Sequence, residues 1–88
     1  MKDEMKLGQI IANSPVKVGE KYRHYKTQDI YVVRSLAFRE ADLELCVIYS
    51  RENSNLVWVR TLTNFTEKVR DENNQMVERF KKIKEEIL

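Results

Sequence analysis

Between Ile30 and Ser50 the chain reads IYVVRSLAFREADLELCVIYS. Two runs rich in β-branched and aromatic residues, IYVVRSLAF (30–38) and LELCVIYS (43–50), flank the polar break READ (39–42). Such side chains suit the half-buried, pleated surface of a sheet, so this stretch predicts two strong strands joined by a turn. The same texture continues outward in shorter pieces. Upstream, KYRHYK (21–26) alternates, with Tyr22, His24 and Lys26 on one side and Arg23 and Tyr25 on the other. TQD (27–29) reads as the turn that follows. Downstream, RENSN (51–55) carries the asparagines and serine that tight turns favour, and LVWVRTL (56–62) reads as a third strong strand. EKVR (67–70) is a weaker strand, closed by the turn DENNQ (71–75).

Both ends change period. Leu7, Ile10 and Ile11 fall on one face of a short helix, weakened by Gly8 and stopped by Asn13-Ser14-Pro15. In the tail MVERFKKIKEEIL (76–88), Met76, Phe80, Ile83 and Ile87 follow a spacing of four, three and four, which predicts an amphipathic helix. Glu78 with Lys82 and Lys81 with Glu85 would support it as i, i+4 pairs. About five short strands with a helix at each end predict a mainly β protein built on a small curled sheet. The predicted organisation is a helix and lead-in over residues 1–18, a β unit over 19–75 and the tail helix over 76–88.

Eighty-eight residues form one domain, 42% hydrophobic and 34% charged: a small core under a heavily charged skin. So short a chain favours a shallow groove or a sheet face over a deep enclosed site. The net charge is +2, and all of the excess lies in residues 21–60, with seven bases against five acids. A dedicated nucleic-acid binder usually carries more. The start has neither a signal-peptide pattern nor a membrane-length apolar run. A cytoplasmic, reduced location away from membranes is the expectation. The glycosylation pattern at Asn64-Phe65-Thr66 then carries no meaning.

Catalytic words are scarce. One histidine, His24, and one cysteine, Cys46, lie far apart in the sequence and make a poor basis for a metal or a nucleophile–base pair. Cys46 sits in an apolar run and reads as core filling. Asp42 and Glu44 lie two apart, but they flank a turn and read as hydrated. The two glycines, Gly8 and Gly19, form no phosphate-cradling loop. No cofactor is expected, and no reaction.

The order of several uncommon words adds a resemblance. GEKYRHYKTQDIYVV, ELCVIYS, VWVRTLTNFTEKV and VERF, over roughly residues 19–80, resemble a small bacterial family, the domain-of-unknown-function family sixteen fifty-three. The resemblance implies an SH3-like β-barrel and no assigned activity. Three places depart from the family's pattern. Thr27 stands where a glycine usually follows Y-R-H-Y-K, Thr61 stands where proline follows W-V-R, and READ replaces a histidine-serine-glutamate-threonine turn. All three fall at strand ends and turns.

The candidate ligand-binding residues are Tyr22, Arg23, His24, Tyr25, Tyr49, Trp58 and Arg60. Tyr22 and His24 share a strand face, as do Trp58 and Arg60. If the two faces coincide they form a patch of stacking groups and cations suited to a planar or anionic ligand. The competing reading makes Trp58, Tyr31 and Phe65 the core, with Arg60 stacked on Trp58 or paired with Glu44 or Glu67. The functional expectation is a non-enzymatic module that binds a protein segment or a small anionic ligand. RNA binding is the alternative, and an enzyme using His24 as acid or base is a third reading. An amphipathic tail or an unpaired strand edge leaves homodimerisation open.

Overall fold

The computed structural model describes residues 3–84. Its first element is α1 (Glu4–Ala12), whose N-cap Asp3 accepts hydrogen bonds from the amides of Met5 and Lys6. The helix ends at Asn13, as the Asn-Ser-Pro stop predicts. No residue of α1 is buried. It is tied down at its C-terminus, where the Lys17 ammonium donates to the Ala12 carbonyl. The buried Ser14 hydroxyl then donates to the Val16 carbonyl at 2.8 Å, and Val16 enters the core. Gly19 turns the chain into the sheet with φ +91°, a conformation that penalises a Cβ.

Four strands follow as an antiparallel meander: β1 (Lys21–His24), β2 (Ile30–Arg39), β3 (Glu44–Arg51) and β4 (Trp58–Thr61). A single helical turn, α2 (Leu62–Phe65), is capped by the Thr61 hydroxyl, which accepts from the Asn64 amide at 3.1 Å. The hairpin β5 (Lys68–Arg70) and β6 (Met76–Glu78) comes next, and β7 (Phe80–Ile83) then pairs with β1. The main sheet has the order β4-β3-β2-β1-β7, and β5 with β6 forms a separate two-stranded sheet.

A bulge decides which face of the sheet is apolar. The pairing of β2 with β3 slips at Arg34, between Val33 and Ser35. Tyr31 and Val33 lie at odd positions, Leu36 and Phe38 at even ones, so an unbroken strand would split them between two faces. The extra residue puts Val33 opposite Tyr49 and Leu36 opposite Val47, all toward one core. Arg34 itself turns out, and its Nε donates to Ser50 Oγ at 2.9 Å.

That core is aromatic. Phe65 from α2 stacks on Phe80 from β7, with centroids 4.2 Å apart and planes 4° off parallel. Tyr22 and Tyr49 meet Phe65 edge-on, and Tyr31 and Tyr49 meet Phe80 in the same way. Val16, Val33 and Val47 complete it. Phe65 thus sits on the inner face of the sheet, and α2 is what carries it there.

Two expectations are corrected. The tail helix over 76–88 does not form in its described part, because residues 76–78 and 80–83 are strands. Ile87 and the Lys81–Glu85 pair lie partly or wholly outside the described residues. A thirteen-residue helix is marginal on its own, whereas β1 has a whole edge of backbone groups to satisfy. Phe80 is also worth more buried against Phe65 than on a surface helix. The closed SH3-like barrel is the second correction. The sheet is strongly curled, since Arg60 on β4 places its guanidinium carbon 5.7 Å from the Phe80 ring on β7. In a flat sheet those strands would be four steps, roughly 19 Å, apart. Yet no ladder joins β4 to β7, and the sheet stays open. Among the described residues no helix is long and apolar enough to cross a membrane.

Candidate functional site: the inner rim around Arg60

Directly opposed residues of an antiparallel pair share a face. The register sets Tyr49 opposite Trp58, Val47 opposite Arg60 and His24 opposite Phe80. The faces of KYRHYK and VWVR therefore do coincide, on the inner side of the curled sheet. Most of that side is core, and only its rim is open.

The seven sequence candidates divide accordingly. Tyr22 and Tyr49 are buried at 6% and 5% exposure. The Tyr22 hydroxyl donates to Glu20 Oε1 at 3.0 Å, and burial with this acidic partner pushes its pKa well above the usual tyrosine range. Burial likewise raises the Tyr49 pKa, although Arg60 opposes the shift. Arg23 faces outward, opposite Ile30 and Lys81. Tyr25 is half-buried, its ring tilted 33° against His24 at 5.1 Å. With Arg23, His24, Asp71, Glu78 and Lys81 it borders a shallow groove of about 320 Å³ in which both signs of charge meet. Trp58 is half-exposed at 50%, on the edge strand, and does not enter the core. Of the three residues the core reading named, Phe65 lies in the core, Tyr31 packs against it and Trp58 stays outside.

Arg60 is the centre of the rim. Its Nε donates to the Tyr49 hydroxyl at 2.9 Å and its Nη1 to Asn64 Oδ1 at 2.5 Å. Both partners are neutral. The expected stacking on Trp58 or pairing with Glu44 or Glu67 is replaced by these contacts and by the Phe80 ring. Glu67 is taken by Arg79, whose Nη2 donates to Oε1 at 2.9 Å and whose Nε donates to the Asn64 carbonyl at 3.2 Å. Among the described residues no carboxylate forms a salt bridge with Arg60. Among the described residues this half-buried guanidinium therefore has no opposite charge in contact with it.

His24 completes the rim. Its ring meets Phe80 edge-on at 5.0 Å, and Nδ1 accepts from the Lys26 amide at 3.2 Å. Burial lowers its pKa, and the charges of Arg60 and Arg79 lower it further, against a smaller opposing pull from Asp29. The neutral ring therefore carries its proton on Nε2, a donor rather than a base held by a carboxylate. Sequence reasoning missed Asn64 as a site residue. Its one legible trace is the helix-capping pattern TLTN, which sets Asn64 four residues after Arg60. Arg79 left no trace beyond its place in the R-F word.

Cys46 is buried and free. Asp42 pairs with Arg39 and accepts from the Glu44 amide, which together hold its carboxyl down to about 2. Among the described residues no three His, Cys, Asp or Glu side chains gather as a metal site would require.

Fold and rim define a small, open, curled-sheet domain with one half-buried cation set among aromatic rings. Residues 20–82 match the model of the family described as Protein of unknown function (DUF1653), and the chain belongs to that family. A crystal structure of a DUF1653 protein from Bordetella bronchiseptica is similar to it, with a TM-score of 0.64 and 28% identity. The match covers 78% of this chain and 88% of that one. A comparison with curated proteins returns no match.

Proposed function

We propose that this chain is a non-enzymatic binding module, working in a reduced, cytoplasmic setting, whose inner rim receives an anionic group. One observation carries the reading: Arg60 is oriented by two neutral groups, Tyr49 and Asn64, and pairs with no carboxylate among the described residues. A structural arginine in the same position would gain more from an acid. An arginine kept for a ligand is better served by partners that fix its fork without neutralising it. His24 adds a second donor, and Trp58 an exposed aromatic face.

Two observations weigh against the other readings. Lys21, Arg51, Arg79 and Lys82 each pair with a carboxylate, which reduces the positive charge left for a nucleic acid. Among the described residues no carboxylate hydrogen-bonds the His24 ring, which leaves acid–base catalysis without an orienting partner there.

The test is an NMR titration of the folded chain with acetate and with phosphate. Two charge-assisted hydrogen bonds support millimolar affinity, about 4 kcal/mol. Saturable shifts are expected at the Arg60 side chain and the His24 ring, and Arg60→Gln should remove them. Unchanged spectra up to about 50 mM of either ion would rule the reading out.

A further inference from the structure

The two edges of the main sheet are finished differently. The edge at β7 carries Lys81 and Lys82, with Lys84 just beyond, and lysines on an edge discourage another strand from pairing. The edge at β4 has no such guard. From Asn53 to Val59 the chain carries no charge, and Leu56, Val57, Trp58 and Val59 are exposed at 59%, 56%, 50% and 62%. An open, apolar strand edge lies beside Arg60, which pairs with no carboxylate among the described residues.

We infer that the β4 edge takes up an extended acidic peptide segment as a sixth, antiparallel strand, its carboxylate meeting Arg60 and an apolar side chain meeting Trp58. This rests on the anion-binding reading above and names the class of ligand. Strand addition supplies backbone hydrogen bonds, while alternate side chains supply specificity. Trp58 and Arg60 lie two residues apart on the inner face. An antiparallel segment must therefore carry its acid two residues before its apolar residue.

A second copy of the chain fits this edge less well. In any antiparallel self-pairing that sets Trp58 against one of residues 56–59, Arg60 meets a residue from 54–57, and Ser54, Asn55, Leu56 and Val57 include no acid. A shift that brings Glu52 to Arg60 sets Trp58 against Ser54 and Val59 against Asn53. One register cannot satisfy both the cation and the apolar run, whereas an acidic peptide does.

The experiment selects a random decapeptide display library on the folded full chain. Synthetic versions of the enriched peptides are then measured against wild type, Arg60→Gln and Trp58→Ser. The expected result is enrichment of Asp or Glu two residues before an aliphatic or aromatic residue, with at least about tenfold weaker binding to Arg60→Gln. Backbone N-methylation of the peptide should abolish binding at alternate positions only, the signature of a ladder rather than of side-chain contacts alone. Peptides that bind Arg60→Gln as well as wild type, or that tolerate N-methylation everywhere, would overturn the inference. So would a concentration-dependent dimer in sedimentation that Trp58→Ser abolishes, since a second copy would then own the edge. No enrichment, with acetate still shifting Arg60, would also overturn it and leave the anion site standing. No enrichment and no acetate response would remove both.

Discussion

Arg60 donates from Nε to the hydroxyl of Tyr49 at 2.9 Å, joining an edge strand to the most buried strand of the sheet. The contact holds the guanidinium at the rim and satisfies a phenol that is 5% exposed. Tyr49→Phe keeps the ring contacts with Phe65 and Phe80 and removes only the acceptor. The expected cost is about 1 kcal/mol in urea unfolding, with faster exchange of the Arg60 Nε proton. An unchanged exchange rate would show that Tyr49 does not orient Arg60.

His24 should make stability pH-dependent. Its folded pKa lies below the ordinary 6.5, because burial and then Arg60 and Arg79 resist a second positive charge. Between the folded and unfolded values the unfolded chain binds more protons, so stability falls as pH drops through 6.5 and levels off below the folded pKa. The urea midpoint should decline from pH 7.5 to 5.5 in the wild type and stay flatter in His24→Gln. Acetate at the rim should raise the His24 pKa, read by NMR.

Glu20 is predicted to be a stability residue. Burial pushes its carboxyl up, but Lys82, the Lys17 amide and the Tyr22 hydroxyl outweigh that and hold the pKa below 4.5. The contacts are 2.6 Å to Lys82, 2.7 Å from Lys17 and 3.0 Å from Tyr22. Glu20→Gln should cost about 1–2 kcal/mol at pH 7, a range held down because the Lys82 ammonium is half-exposed. The depressed pKa means that this contribution is present above pH 4.5 and lost as the pH falls through the folded value. The gap between wild type and variant should therefore close in acid, as chemical denaturation at pH 3 and pH 7 can show.

Phe80 and Trp58 should behave oppositely. Phe80→Ala removes the ring that touches Phe65, Tyr31, Tyr49 and His24, and is expected to cost about 3–5 kcal/mol. Trp58→Ala, at a half-exposed edge position, should change stability by about 0.5 kcal/mol or less. Thermal melts of the two variants decide it, and a large loss at Trp58 would place it in the core after all.

The β2–β3 hairpin was legible because its composition and its READ turn agree with its pairing, from Tyr31 opposite Arg51 to Arg39 opposite Glu44. The short N-terminal helix was legible from its stop signal. The tail was not. Its four-three-four spacing describes a helix and carries no period-two alternation; what makes residues 80–83 a strand is the unpaired edge of β1, more than fifty residues upstream. The bulge at Arg34 was invisible for a related reason. It exists to put Leu36 and Val33 on one side, and the side is defined by Tyr49 and Val47 on another strand.

The candidate site shows the same division. Sequence by itself determined a mainly β chain, its family and the set of aromatic and basic residues from which a rim is built, because these depend on local composition and on the order of short words. Tertiary structure alone decided which of them enclose and which present. Curling the sheet buries Tyr22 and Tyr49, leaves Trp58 on an open edge and brings Arg60 to Phe80 from the far side of the sheet. The physical reason is that a strand's alternation fixes two faces without saying which is inside. Only the packing of Phe65 and Phe80, brought together from α2 and β7, makes that choice.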